Sequence, residues 1–235
     1  MFVEFSDFFR SHLFSSVNDS FILTEDMAIW IVLLYLSHYW DAPKSISINP
    51  VNTNLAMLKC IPNSIALVIT NSLTSEAMFT ALMPAIGELL KCDRCFLYLR
   101  DPQTRFGKIP FCWRRNSAIP EISNENWNLE PESLTSKDPM FAAALRRSPT
   151  IFIEDINTTS DRILSRQFER ENFGHRALIH AHLCQDDQLW GVLQPCVFDR
   201  PRKWTQTERQ TIKQIVKLIV PIAVEYVTDH TVQLL

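Results

Sequence analysis

The chain has 235 residues, 46% of them hydrophobic, which is enough to bury a full core and suggests one domain plus an extension. With 23 basic against 26 acidic residues the net charge is -3, so the chain lacks the positive field that drives nucleic-acid binding. The longest apolar run, residues 27–36, is shorter than the roughly 20 residues that span a bilayer, and no basic signal-peptide segment precedes it. The composition therefore predicts a soluble, cytoplasmic protein with neither nucleic acid nor a membrane as its partner.

Six cysteines are scattered through the sequence instead of forming a regular disulfide framework, which is typical of reduced thiols in a cytosol. Two of them, Cys92 and Cys95, have the spacing of a redox motif. Because no glycine-proline turn or helix N-terminus is predicted there to lower a thiol pKa, the sequence favours a structural role for both.

Residues 1–72 differ in character from the rest and are predicted to form an N-terminal extension or linker. Serine, asparagine and proline recur in its second half, where charged side chains are scarce. Within it, Thr24–Trp40 has the pattern of a capped apolar helix and Ile65–Ile69 that of a short strand. An alternative is that the natural chain starts at Met57 or Met78.

The pattern becomes regular after this extension. Ser75–Lys91 is amphipathic and predicts a helix that Pro84 is expected to kink or interrupt. Cys95–Leu99 and Lys108–Arg115 read as strands, and the turn residues between them predict a hairpin. A long polar loop, Asn116–Lys137, follows.

The middle of the chain predicts two short helices on either side of a strand. Residues 138–147 form the first helix, and Ile151–Ile153 is a buried strand. Ser160 or Asp161 caps the second helix, and Gly174 ends it because glycine tolerates the left-handed conformation. The predicted inner face of that helix consists of Ile163, Leu164 and Phe168.

The last part of the chain predicts a second hairpin and a long helix. The strands Ala177–Leu183 and Leu189–Gln194 are joined by a polar turn. Thr205 and Glu208 form a capping box, after which apolar residues repeat at helical spacing. Pro221 is expected to bend this helix late in its course.

This order of elements resembles a GAF domain of the cyanobacterial phytochrome-like kind over about residues 73–228. Four strings carry the resemblance most clearly: Leu89–Arg100, Pro149–Asp155, Asp187–Leu193 and Pro201–Trp204. The resemblance implies an α+β fold in which helices flank a central antiparallel sheet. The extension of residues 1–72 would precede this domain, and a tail of residues 229–235 would follow it.

The bilin-binding members of that family carry a Cys-His pair on a helix and another histidine after a Leu-Trp-Gly strand. The resemblance aligns Ser165 and Arg166 with the pair and Cys196 with the later histidine. A serine hydroxyl has a far higher pKa than a thiol and does not replace it in a thioether at neutral pH. No covalently bound bilin is therefore expected, while Arg176 matches the arginine that holds a bilin propionate in the family.

Three histidines and a cysteine form a candidate pocket cluster. His180 and His182 share one face of a predicted strand because side chains alternate, and Cys196 lies on the next strand. With His175 these groups are of the kind that bind a metal or haem. The alternative, half-buried polar residues satisfied by backbone or water, is favoured because no acidic or second cysteine ligand has a matching spacing. Arg176, His180, His182 and Cys196 are the predicted pocket residues for an unidentified ligand, and no metal site is predicted.

The resemblance implies a non-catalytic regulatory or sensor module, of cyanobacterial source, that binds a small molecule non-covalently or acts through protein contacts. No catalytic residue is assigned in this interpretation. An alternative is a GAF-type methionine sulfoxide reductase that uses Cys112, Cys184 or Cys196 as nucleophile or resolving thiol. Another alternative is a structural subunit of a photosynthetic or other assembly.

The terminal helix is the predicted partner surface. GAF domains often pair through their outer helices, and this helix has a mixed polar face beside a broad apolar stripe. The alternative, that the stripe only covers the sheet, has at least equal support. Because only residues 228–235 follow the helix, a signal is expected to leave through a homodimer or another protein partner.

Overall fold

The computed structural model describes residues 55–231, so the predicted helix Thr24–Trp40 lies outside the described residues. The helices in that range are α1 Leu55–Leu58, α2 Asn63–Asn71, α3 Ser75–Leu90, α4 Leu134–Lys137, α5 Pro139–Leu145, α6 Arg166–Asn172 and α7 Gln206–Thr231. The strands are β1 Arg94–Arg100, β2 Phe106–Arg114, β3 Asn124–Leu129, β4 Ile151–Ile153, β5 Ala177–Gln185 and β6 Gln188–Val197. None of these helices combines the length and the apolar character that a membrane-spanning helix needs.

The strands form one sheet in the order β3-β2-β1-β6-β5-β4, and every neighbouring pair is antiparallel. With helices on both faces, this confirms the predicted α+β class and both predicted hairpins. The β5–β6 turn is tight, since Asp186 and Asp187 alone connect the paired residues Gln185 and Gln188. Both turn residues have positive φ, 51° and 61°, which matches the twist of a two-residue hairpin.

The main core lies between one face of the sheet and the helices α3 and α7. Leu97 and Leu99 of β1 point into it because alternate side chains of a strand share a face. Phe79, Phe111 and Tyr226 meet at its centre with ring centroids 5.2 to 6.2 Å apart. Each such fully buried apolar side chain contributes about 1.5–3 kcal/mol through removal from water.

The segment predicted as the strand Ile65–Ile69 is instead part of helix α2, so that prediction was wrong. Ile65 and Ile69 are buried in the main core, whereas Leu67 between them is largely exposed. Residues four apart share one face of a helix. Packing of that face therefore outweighs the strand preference of the β-branched residues.

The predicted polar loop 116–137 contains strand β3 and helix α4. Within residues 55–231, β3 is an edge strand whose one partner is β2, and its side chains are mostly exposed. A solvated edge strand needs no apolar alternation, so its sequence gives no strand pattern. β3 is nevertheless important, because the residues that follow it reach the site described below.

Helix α6 starts later than predicted. Ser165 caps it by accepting a hydrogen bond from Phe168 N–H at 3.3 Å, whereas Ser160 and Asp161 precede it in a turn. Leu164 is fully buried, but Ile163 is 46% exposed and does not belong to an inner face. Glycine ends the helix as predicted, since Gly174 has a φ of 71°.

Candidate ligand-binding site

A cavity of about 240 Å³ lies on the face of the sheet opposite to α3 and α7. Phe96 and Tyr98 of β1 face it, because they alternate with Leu97, which faces the main core. The helices α5 and α6 and the residues 128–134 complete its walls. The aromatic residues of the lining are Phe96, Tyr98, Phe141, Phe168 and Phe173.

A second cavity, of about 480 Å³, adjoins the first and shares Glu130 with it. Its lining is charged, but its arginines are already bound within the fold. Arg100 donates to both carboxylate oxygens of Glu130 at 2.6 and 2.9 Å and to the carbonyl oxygen of Leu189. Arg105 donates to the carbonyl oxygen of Glu130. The smaller cavity is the stronger candidate because Gln194, which lines it, has a side-chain Nε2 without a hydrogen-bond partner among the described residues.

A chain of hydrogen bonds fixes the protons of the two histidines on β5. His182 Nδ1 lies 2.7 Å from the carbonyl oxygen of Ser148, and His182 Nε2 lies 2.9 Å from His180 Nδ1. Burial lowers the pKa of both rings, and His182 lowers the pKa of His180 further, so both are neutral near pH 7. Since a carbonyl only accepts, His182 carries its proton on Nδ1 and accepts from His180. His180 lines the cavity, and its Nε2 is left as an acceptor.

Gln194 of β6 lies directly opposite His180, because the two strands pair Leu178 with Cys196 two residues away. Its neighbour on the other side is Phe96. Gln194 lines the cavity and is only 3% exposed, and its Nε2 has no acceptor among the described residues. Leaving a buried donor unpaired costs about 1–3 kcal/mol, so this amide marks a place where a further molecule can bind.

Three carboxylates line the cavity, and each is engaged within the fold. Glu130 accepts from Tyr98 Oη at 2.6 Å, and Glu169 lies 2.7 Å from Nε2 of His175. Asp138 accepts from two backbone N–H groups at the start of α5. Among the described residues, neither an arginine nor a lysine lines the cavity. This charge distribution disfavours an anionic ligand.

His175 and Arg94 lie behind the cavity wall and tie the segment after α6 to β1. Burial opposes the charge on His175, but contacts with Cys196 and Glu169 outweigh it and raise the pKa of His175 to about 9. Arg94 is fully buried and donates to the carbonyl oxygen of Phe173 at 3.2 Å. Within the described residues, Arg94 Nε and His175 Nδ1 have no hydrogen-bond partner.

The thiols near this wall are packed into the protein interior. Cys92 and Cys196 both donate to the carbonyl oxygen of Arg94, at 3.4 and 3.5 Å, and Cys95 lies 3.9 Å from the sulfur of Met83. Burial raises the pKa of Cys92 and of Cys95. The two thiols with redox-motif spacing therefore have separate partners and little thiolate character.

The structure keeps apart the three cysteines of the reductase alternative, Cys112, Cys184 and Cys196. Cys184 pairs with Leu189, which is seven residues, or about 23 Å, along β6 from Cys196. Cys112 lies on β2, two strands away from Cys196, which separates their Cα atoms by about 10 Å or more. Disulfide formation requires Cα atoms within about 7 Å. No pair among these three thiols is positioned for exchange.

The residues aligned with the bilin-binding pattern have other partners. The hydroxyl of Ser165 is used in capping α6. Arg166 forms a bidentate pair with Asp161 at 2.9 and 2.7 Å, and Arg176 forms one with Asp155 at 2.6 and 3.0 Å. Ser165, Arg166 and Arg176 are absent from the cavity lining.

Of the four predicted pocket residues, only His180 lies on the cavity wall, and His182 orients it. Gln194 was missed, although it is a polar residue within the apolar stretch of β6 and thus gave a signal in the sequence. Tyr98 and Glu169 were also missed, since each has its partner outside its own element: Tyr98 donates to Glu130, 32 residues away, and Glu169 contacts His175, which follows α6. In the described part of the chain, no group of three or more His, Cys, Asp or Glu side chains is arranged to hold a metal ion.

Comparison with known proteins agrees with this architecture. A family model described as GAF domain matches residues 74–220, which is more than half of the chain. The structure of a protein in its far-red-absorbing dark state with bound biliverdin has a TM-score of 0.56 and 16% identity, covering 73% of this chain and 99% of that one. The phycoerythrobilin-bound GAF domain of a cyanobacterial phytochrome has a TM-score of 0.54 and 20% identity, covering 76% and 98%.

A further similar structure carries no bilin in its description. The GAF domain of the Acinetobacter phosphoenolpyruvate-protein phosphotransferase has a TM-score of 0.54 and 14% identity, covering 77% of this chain and 97% of that one. No curated protein matches the sequence significantly. At these identities the structural likeness establishes the fold, and the family model establishes the membership. The chain belongs to the GAF domain family.

Proposed function

We propose that this chain is a non-catalytic, cytoplasmic GAF regulatory module that binds one small molecule non-covalently in the cavity between the sheet and α5 and α6. The observation that carries the proposal is the buried amide of Gln194, whose Nε2 has no acceptor among the described residues and which lines the cavity beside His180. A bound molecule supplies that acceptor. Ligand-binding cavities commonly combine apolar walls with a few such polar groups.

Non-covalent binding is favoured because no cysteine is among the residues that line the cavity. The separation of Cys112, Cys184 and Cys196 argues in the same direction, since thiol exchange between any two of them would require large movements of the sheet. A regulatory role fits both observations better than thiol chemistry does.

The signal is proposed to leave through a partner bound at α7, either a second copy of this chain or another protein. α7 packs on β5 and β6 from the face opposite to the cavity. A change in the position of β6 on ligand binding would therefore reach α7 directly, because Gln194 and the core residue Leu193 are neighbours in one strand.

The experiment that tests the proposal fills the cavity. Val192 is buried, lines the cavity and lies between Tyr98 and His182 in the sheet. The wild-type protein and Val192→Phe are compared for binding of four neutral aromatic probes, indole, benzimidazole, toluene and 2-pyridone, by saturation-transfer NMR. We expect at least one probe to bind the wild type and to lose binding in the variant.

A matched control is Val216→Phe, which adds the same ring to a half-buried position of α7 on the other side of the sheet. Circular dichroism checks that both variants are folded, since overpacking costs about 1–3 kcal/mol. Val192→Leu is a milder replacement if the phenylalanine variant unfolds. Binding that is equal in the wild type and in the filled variants, or the absence of binding by every probe, would contradict the proposal.

A further inference from the structure

We propose that the ligand of this cavity is a small, neutral, planar cyclic amide, in which a ring carbonyl accepts from Gln194 while the adjacent ring N–H donates to His180. The inference rests on the proposed function, that the cavity binds a small molecule, and specifies the chemical class of that molecule. Pyridones and pyrimidinediones are members of this class.

The acceptor on the protein side is Nε2 of His180. The carbonyl oxygen of Ser148 orients His182, and His182 Nε2 in turn accepts the hydrogen bond that His180 Nδ1–H donates. Protonation of both ring nitrogens of His180 is disfavoured by its burial beside a second imidazole. The ring of His180 therefore presents a lone pair, and a ligand must bring a donor to it.

The donor on the protein side is the amide of Gln194. Gln194 and His180 are direct cross-strand neighbours on the cavity face, so their Cβ atoms are about 4.5–5.5 Å apart. Two side chains at this spacing can contact adjacent atoms of one ligand edge. A donor next to an acceptor is complementary to a carbonyl next to an N–H, which is the edge of a cyclic amide.

The shape and charge of the cavity narrow the class further. Five aromatic side chains line it, which favours a planar ring. Among the described residues, three carboxylates and no arginine or lysine line it, which disfavours a phosphate or carboxylate on the ligand. Its volume of about 240 Å³ lies below the roughly 300–1,000 Å³ of sites for drug-sized molecules, so a ligand of one or two rings is expected.

The first test uses 2-pyridone, N-methyl-2-pyridone and toluene with the full chain in isothermal titration calorimetry. We expect 2-pyridone to bind, and N-methyl-2-pyridone to bind about tenfold or more weakly, because it cannot donate to His180. Toluene tests the apolar walls alone and should bind more weakly still. Uracil and its carboxylated analogue orotate form a second pair, in which we expect only uracil to bind.

The second test removes the donor. Gln194→Met keeps the length of the side chain, and we expect it to weaken 2-pyridone binding about tenfold while leaving toluene binding unchanged. Gln185→Met, at a position of β5 outside the cavity lining, is the matched control. In addition, ¹⁵N-histidine NMR at pH 7.5 should find the proton of His180 on Nδ1, with an Nε2 resonance that shifts when 2-pyridone is added.

The outcomes separate the two proposals. If toluene and N-methyl-2-pyridone bind as tightly as 2-pyridone, and Gln194→Met changes nothing, the cyclic amide is overturned while small-molecule binding in the cavity stands. A proton on Nε2 of His180 would overturn it as well. If no probe binds the wild-type chain, both the ligand class and the proposed function fail.

Discussion

Asp138 is a buried carboxylate at the point where helix α5 meets the cavity. Burial raises its pKa to about 6, and the nearby carboxylate of Glu169 adds to this, against the opposing effect of the backbone N–H groups of Phe141 and Met140. Between about pH 4 and pH 6 the folded state thus binds more protons than the unfolded state. The stabilisation from this group is complete below pH 3.8 and is lost as the pH rises through 6.

Replacing Asp138 by asparagine keeps a capping oxygen but removes the charge. We expect Asp138→Asn to raise the free energy of unfolding at pH 7.5 by about 2–3 kcal/mol relative to the wild type, because the buried charge is no longer formed. At pH 4 the difference should vanish. Urea unfolding at both pH values measures the change.

Asp155→Asn provides a control of opposite sign. The Arg176 side chain holds the pKa of Asp155 below its usual range, so the ionised carboxylate stabilises the folded wild type and this stabilisation is lost as the pH falls. Asp155→Asn removes the carboxylate and should therefore lower the free energy of unfolding at pH 7.5. If the free energy of unfolding changes with pH by the same amount in Asp138→Asn and in the wild type, the prediction for Asp138 is contradicted.

The sequence located residues of the site only in part. The alternation of a strand was enough to predict that His180 and His182 share a face. Their protonation depends on Ser148, which is 34 residues away and reaches His182 only once β4 is paired with β5. Arg176 was predicted from resemblance alone, and its guanidinium is bound by Asp155 instead. Local patterns thus predict faces, while partners distant in sequence need the fold.

At the scale of elements, the capping box of α7 is the clearest agreement between sequence and structure. Thr205 N–H donates to Glu208 at 2.8 Å, and Glu208 N–H donates to the hydroxyl of Thr205 at 3.2 Å. Arg202 holds the same glutamate and stacks over Trp204 with its guanidinium carbon 4.5 Å from the ring centroid. The box therefore joins the start of α7 to the segment that leaves β6.

We expect Thr205→Ala to lower the free energy of unfolding by about 1 kcal/mol, because the first turn of α7 loses a cap. Thr205→Ser keeps the hydroxyl and should restore most of the loss. Chemical unfolding followed by circular dichroism measures both variants. If the alanine and serine variants are equally stable, the hydroxyl does not stabilise the helix and the prediction fails.

Elements without a periodic pattern were the ones that sequence reasoning missed. The buried positions of α2 are set by its packing against α3, which is a tertiary contact, so its β-branched residues were misleading. β3 is polar because it is an edge strand with solvent around it. Both elements depend on a neighbour that the local sequence does not reveal.

At the scale of the whole molecule, the sheet separates a core face from a cavity face. The core face is covered by α3 and α7, and the apolar periods in the sequence predicted both of these helices. The cavity face contains buried polar groups in β1, β5 and β6, which come together only through the strand order. The fold could therefore be predicted from local sequence patterns, whereas most residues of the site could not, because they become neighbours only in the folded sheet.

The positions of the cysteines relative to the cavity lead to a prediction about covalent chromophore binding. No cysteine lines the cavity, burial raises the pKa of Cys92 and Cys95, and the pKa of Cys112 is raised to about 11 by burial and by Glu121. Thiolates are the reactive form in thioether formation. We therefore expect phycocyanobilin mixed with the chain to give no adduct, as measured by zinc-induced fluorescence after denaturing electrophoresis.

A bilin-binding GAF domain treated in parallel confirms that the pigment and the stain are active. Ser165→Cys tests the geometry, because Ser165 aligns with the attachment cysteine of the resembling family but its hydroxyl caps α6 away from the cavity lining. We expect this variant to remain without pigment too, since a thiol there lacks access to a cavity of about 240 Å³. A fluorescent band from the wild type that survives denaturation would refute the prediction, and one from Ser165→Cys alone would mean that the cavity opens to admit a bilin.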